Sequence, residues 1–235
     1  MPVTLCATFP LEEIAHRAAL RGQPSFHEHW RRRSDVAGTD ADASVPIQLT
    51  IHIAPLAHNE VEEAAGVAAQ IHQLNAAART PSPIELRAWM ARPHHHVLRV
   101  RAFDQYGDHG IVGLMLCHAD EEDFVADGFM LKSDHAGLGI EEEMISALGR
   151  MALSSGCGAV VLTLIESATN RLAQMLFKGL GCGIETLASG VREVAFASLA
   201  VEDVLMRAKS FLSGMWLEAQ AMVGGDDEQR SGVAG

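Results

Sequence analysis

Cysteine is sparse in this chain and never closely spaced. Cys6, Cys117, Cys157 and Cys182 lie far apart, with no Cys-x-x-Cys pair among them. That excludes a zinc ribbon or a disulfide framework and predicts reduced core thiols in a cytoplasmic protein. Positive charge is scarce too: 18 Lys and Arg stand against 30 Asp and Glu, for a formal net charge of −12. Such a balance disfavours nucleic acid and anionic lipid as partners. No stretch reaches the roughly 18 consecutive apolar residues of a membrane span. The opening MPVTLCATFPLEEIAHRAAL lacks a basic segment before its apolar residues and carries Glu12 and Glu13, so no secretion signal is expected. Tyrosine occurs once, as Tyr106. What is plentiful is apolar material, 48% of 235 residues, which suits one domain with extensions.

Residues 1–46 read as an N-terminal extension and linker. They hold a short helix over 11–21, a basic patch FHEHWRRR (His27, His29, Trp30, Arg31, Arg32, Arg33) and a turn-rich DVAGTDADASVP. The patch is either solvated or a dock for an acidic partner. From residue 47 the pattern becomes that of a domain. IQLTIHI alternates as a half-buried strand, with Ile47, Leu49, Ile51 and Ile53 on one side. Asn59 with Glu62 resembles a capping box and predicts a helix over 59–78, followed by a second over 83–91. VLRVRAF, IVGLMLC and FVADGFML read as strands, with DQYGDHG as a turn. A helix over 139–151, the strand AVVLTLI, a helix over 169–180 and a strand near VREVAFA complete the domain over 47–198. This order predicts an α/β (α+β) fold, a mixed central sheet flanked by helices. Residues 199–222 repeat apolar side chains at 3–4 spacing, from Val201 to Phe211, Trp216 and Met222. That face either docks on its own domain or anchors a partner. The Gly- and Asp-rich 223–235 is expected to be disordered.

The chemistry concentrates at KSDHAGLGIEEE, residues 132–143, where a strand turns into a helix. A Gly137-x-Gly139 turn at a helix start aims backbone N–H groups at a bound phosphate. Asp134 and the glutamates Glu141, Glu142 and Glu143 surround it, however. The glutamates suit the helix dipole, but together these carboxylates repel a pyrophosphate. Asp134 with His135, and Asp104 and Asp108 with His109, form two carboxylate–imidazole sets, in each of which an Asp can hold a His as general base. The same residues also suit a solvated loop and a turn. His72 and Asn75 share a face of the expected helix at i, i+3. Ser133, just before Asp134, suits either a hydrogen bond to a substrate amide or the capping of a turn. His94, His95 and His96 alternate in direction on an extended chain, so no metal site is expected there.

The domain resembles the C-terminal, GNAT-fold portion of FkbH-like proteins of polyketide and peptide antibiotic biosynthesis. QIHQLNAAAR at 70–79 is similar to that family's Gln-Leu…Asn-Gln-Phe-Asn-Leu-Thr-Thr-Arg block, and DQYGDHGIVG at 104–113 to its Asp-Arg-Phe-Gly-Asp-x-Gly-Leu-Val-Gly block. GLGIE at 137–141 is similar to Gly-Arg-Gly-Val-Glu, and SATN at 167–170 leads the last core helix as in the family. The family's N-terminal haloacid-dehalogenase-type domain, with its Asp-x-Asp motif, has no counterpart in residues 1–46. In acetyltransferases of this fold the glycine turn begins with Gln or Arg and holds the pyrophosphate of acetyl-CoA. Here Asp134 takes that position, and Phe177 stands where a Tyr often protonates the departing thiolate. Phenylalanine cannot donate a proton.

The resemblance implies a degenerate GNAT-fold protein of antibiotic biosynthesis, an enzyme or enzyme subunit acting on an intermediate tethered to a carrier protein. Base-assisted elimination or ring closure is the expected chemistry, with Asp104, Asp108, His109, Asp134 and His72 as candidate catalytic residues. Ser133, His135, Gly137, Gly139, Asn75 and Asn170 are the candidates for holding a substrate or a pantetheine arm. CoA or a carrier's phosphopantetheine is the cofactor to consider, and a pathway partner enzyme or a second copy the protein partner. An acetyl-CoA-dependent N-acyltransferase and a non-catalytic partner subunit are the alternatives.

Overall fold

The alternating segment that begins at residue 47 forms β2 (Ile47–Pro55), and the apolar runs after it form three long strands: β4 (His95–Asp104), β5 (Gly107–Asp120) and β6 (Asp123–Leu131). The computed structural model describes residues 3–9, 47–105, 107–180, 184–186, 191–197 and 200. The expected C-terminal helix, the basic patch and the helix over 11–21 lie outside them. β5 explains why IVGLMLC is apolar throughout rather than alternating: both of its faces are covered. Leu114 and Leu116 face a core shared with α1 (Val61–Ala68) and α2 (Pro83–Met90), while Met115 and Cys117 face the larger core. That larger core is completed by α3 (Ile140–Ser155) and α4 (Arg171–Gly179). Cys117 and Cys157 are buried thiols, and burial, with Asp127 nearby, pushes Cys117 up to about 12.

Among the described residues, with β1 at Val3–Phe9, the sheet runs β1-β2-β4-β5-β6-β7-β9-β8, with β7 (Ala159–Leu164), β8 (Ile184–Thr186) and β9 (Arg192–Ala197) on the far side. Only β6 and β7 pair in parallel there; the other pairings are antiparallel. α3 makes the crossover that a parallel pair requires. The edge strand β1 (Val3–Phe9) lies within the segment expected to be extension only, and pairs with β2 from Val3↔Ile53 to Phe9↔Ile47. Its alternation of Val3, Leu5, Ala7 and Phe9 carried a strand signal, but the partner is distant in sequence.

The helix expected over 59–78 is corrected. It opens as a 3-10 turn at His58–Glu60, with the Glu60 carboxylate, not that of Glu62, accepting the Ala57 N–H, and α1 stops at Ala68. Leu74–Asn75 then forms a short strand, β3, on Met130 and Leu131 of β6. β5 already occupies the other edge of β6, so β3 lies on the edge that faces β7. Ala76 N–H donates to Phe129 O at 3.0 Å, and Ile165 N–H donates to Ala76 O at 2.8 Å. Residues 74–76 therefore fill the gap where β6 and β7 diverge. Tertiary pairing overrides helical periodicity here, and Ile71 and Leu74 are buried in either geometry.

At Gly113 there is no room for a side chain between β5 and β6. A Cβ there would lie 2.7 Å from the Met130 carbonyl oxygen and 3.3 Å from Leu131 Cδ1. Backbone cannot retreat as a flexible side chain does, so Gly113→Ala is expected to cost about 1–3 kcal/mol. Urea unfolding checks this, and an unchanged midpoint would contradict the close approach.

Candidate active site

The DQYGDHG turn becomes the hairpin between β4 and β5, shaped by Gly107 at φ 132 and Gly110 at φ 72. Asp108 organises it from outside: its carboxylate accepts the Gly110 N–H at 2.7 Å and Arg101 Nη2–H at 2.5 Å. Partial burial pulls the Asp108 carboxyl upward, but the Gly110 amide and the Arg101 guanidinium outweigh it and hold the group below its ordinary range. The ladder slips between Arg101 and Phe103, where Arg101 pairs with Ile111 and Phe103 with Asp108. That bulge leaves His109 off the regular ladder, with its ring turned inward.

His109 bridges two of the expected sets. Its Nε2 lies 2.7 Å from Asp104 Oδ2, and its Nδ1 lies 2.9 Å from His135 Nε2. His135 Nδ1 in turn lies 2.7 Å from Asp134 Oδ1. The two carboxylate–imidazole pairs are thus one chain, Asp104–His109–His135–Asp134, joining the hairpin to the loop after β6. Side-chain exposure along it is 0% at Asp104, 1% at His109, 4% at His135 and 36% at Asp134. Only the Asp134 end meets solvent. Burial pushes the His135 imidazole below its ordinary value, with Asp134 pulling in the opposite direction. The loop is fixed by Lys132 N–H on Val112 O at 2.9 Å and His135 N–H on Lys132 O at 3.0 Å.

The glycine turn keeps its backbone form, with Gly137 at φ 75 and Gly139 at φ 79 before α3. These left-handed angles are what glycine supplies at little cost. Yet the Gly137 N–H donates to the carboxylate of Glu141, which is itself buried. An internal carboxylate therefore already occupies the first amide of this turn. The sequence marked Glu141 as a repelling charge; what it missed is that this side chain closes on the turn four residues back.

The remaining candidates are dispersed. Asn75 Nδ2 donates to Arg79 O at 2.9 Å, and Asn170 Nδ2 to Asn75 O at 3.0 Å and Ile165 O at 2.8 Å. Both amides thereby hold the 74–76 segment in its gap. His72 is exposed in the irregular segment between α1 and β3 and shares no helix face with the buried Asn75, which corrects the expected pairing. Ser133 is half-buried in the loop and accepts the Ala136 N–H through its carbonyl at 3.4 Å. Phe177 is buried edge-on against Phe129, centroids 6.5 Å apart. His95 stacks on His118 while the next ring, His96, lies against Phe124. Among the described residues no group of three His, Cys, Asp or Glu could hold a metal ion, and no helix is long and apolar enough to cross a membrane.

No protein-family model and no curated protein matches the chain. Solved structures do resemble it. The ribosomal-protein-S18-alanine N-acetyltransferase of Escherichia coli is 13% identical, with a TM-score of 0.46 over 63% of this chain and 92% of that one. The PaiA N-acetyltransferase of Thermoplasma acidophilum, solved with coenzyme A, is 13% identical, with a TM-score of 0.49 over 63% and 98%. The SpeG spermidine/spermine N-acetyltransferase of Vibrio cholerae is 10% identical, with a TM-score of 0.46 over 65% and 96%. The likeness is one of fold: a GNAT-like mixed sheet with helices on both faces. It transfers no substrate.

The Asp108 geometry predicts an acid-sensitive hairpin. A carboxylate whose folded pKa is lowered contributes stability above its unfolded value and loses it as pH falls through the folded one. Asp108→Asn should therefore destabilise the fold at neutral pH, with the gap to wild type narrowing below about pH 4. Denaturant titrations at the two pH values check it; a gap independent of pH would contradict the ionic role.

Proposed function

We propose that this chain is a proton-transfer catalyst on a GNAT-like scaffold, acting on an intermediate tethered to a carrier protein. The observation that carries the reading is the continuous Asp104–His109–His135–Asp134 chain, buried everywhere except at Asp134. An exposed carboxylate backed by two imidazoles and a second carboxylate is suited to exchanging protons with a substrate. Asp134 is the catalytic residue, and Asp104, His109 and His135 are positioning residues behind it. Base-assisted elimination or ring closure needs that kind of group and no acyl donor. The tethered portion approaches Asp134 from outside, since residues 74–76 occupy the gap between β6 and β7. A pathway partner enzyme, or a second copy, completes the walls of the site.

One observation favours the second reading, an acetyl-CoA-dependent N-acyltransferase: Gly137 and Gly139 retain the left-handed turn at the start of α3. Against it stand Glu141 on the Gly137 amide, Asp134 at the turn, and Phe177 in the core. Calorimetric titration with acetyl-CoA and with acetyl-pantetheine, which lacks the diphosphate, separates the two. The proposed function predicts saturable binding of acetyl-pantetheine, with acetyl-CoA binding no tighter. Glu141→Ala, which uncovers the Gly137 amide, should give acetyl-CoA an advantage it lacks in wild type. A tenfold preference of wild type for acetyl-CoA, about 1.4 kcal/mol, would support the acyltransferase instead. No binding of acetyl-pantetheine would remove the tethered arm from the proposal.

A further inference from the structure

We infer that the Asp104–His109–His135–Asp134 chain rests with one proton more than two carboxylates and two neutral imidazoles hold, and that this stored proton makes Asp134 a general acid. The inference deepens the proposed function and rests on it for the role of Asp134 toward substrate. The proton count itself rests on the geometry alone.

The chain contains three hydrogen bonds, at 2.7, 2.9 and 2.7 Å. Each needs one proton, and two neutral imidazoles supply two. Were both neutral rings to donate to their own carboxylates, His109 Nδ1 and His135 Nε2 would face each other as bare lone pairs at 2.9 Å. Two acceptors do not settle at that distance. A third proton must lie between the rings.

That proton has several seats, and all of them keep the three bonds. In one form His109 is an imidazolium held by the Asp104 carboxylate, and neutral His135 donates Nδ1–H to Asp134. In another, His135 carries its proton on Nε2 and Asp134 is a neutral acid donating to His135 Nδ1. The two forms differ by short hops along bonds already made: His109 Nδ1 to His135 Nε2, and His135 Nδ1 to Asp134. Burial disfavours a charge on His135, consistent with the ring acting as a conduit. The neighbouring charges do not themselves favour the extra proton, which the three-bond geometry alone requires. Lys132 on the loop lowers the proton affinity of His135, whereas on the hairpin Arg101 and Asp108 largely neutralise each other.

A loaded chain acts first as an acid. The substrate class it fits is a tethered intermediate with an oxygen leaving group. The Asp134 O–H bond breaks as an H–O bond forms on that oxygen, which departs with the electron pair of its C–O bond. Asp134 is left as a carboxylate. It is reloaded by the proton the substrate loses in elimination or ring closure, or by one from water at its exposed edge.

The test needs no substrate. In the full chain with 15N-labelled histidine, NMR at neutral pH should show a strongly downfield proton coupled to both His109 Nδ1 and His135 Nε2. Raising the pH should remove it in a one-proton step. In Asp134→Asn the carboxamide can donate to His135 Nδ1 without any extra proton. The bridging signal of that variant should then survive to higher pH than wild type, by about one unit or more. Absence of a bridging proton in wild type at neutral pH, or equal midpoints in the two proteins, would overturn the inference. Either result is independent of the pantetheine titration, so the proton store and the tethered-substrate reading fail separately.

Discussion

A hydrogen bond between two histidine rings, His109 Nδ1 to His135 Nε2, couples the two halves of the site. His109 belongs to a bulged hairpin and His135 to a loop that leads into a helix, and they are 26 residues apart in sequence. Without that bond the loop would still be tethered by Lys132 to Val112. The carboxylate pairs would then be two local features with no common proton. With it, the buried carboxylate of Asp104 is connected to the partly exposed carboxylate of Asp134. A polar chain of this kind is costly to bury unless every member is satisfied, and the hairpin bulge and the loop together satisfy it.

The glycine turn shows the same economy from the opposite direction. A helix N-terminus attracts negative charge wherever it comes from, and here the chain supplies its own. Glu141, in the first turn of α3, reaches back to the Gly137 amide. The scaffold thereby keeps the backbone form of an anion cradle while filling part of it. The gap between β6 and β7 is filled likewise, by residues 74–76 pinned through Asn75 and Asn170. Both the turn and the gap are thus partly occupied by the protein itself.

Much of this was legible in the sequence because it depends on local pattern. The apolar runs of β4, β5 and β6 and the Gly139 start of α3 each carried their own signal. Asp104, His109, Asp134 and His135 could be singled out as titratable groups in turns. Their union could not, because it depends on a two-step register slip that turns His109 inward. The 70–78 segment misled for a related reason: its apolar spacing suits a helix, while its partner, β6, lies far along the chain. β1 was hidden in the same way, as a good strand with no local mate. The amide groups of Asn75 and Asn170 donate to the backbone oxygens of Arg79, Asn75 and Ile165, bonds that depend on this rearrangement and that no local pattern announces.

Neutron diffraction from a deuterium-exchanged crystal at neutral pH would locate the proton inferred between the two rings, which connects the buried carboxylate to the one at the surface. Nuclear density is expected on the line between His109 Nδ1 and His135 Nε2, with a further deuteron on each flanking bond to Asp104 and Asp134. Rings that lean apart with no deuteron between them would contradict it.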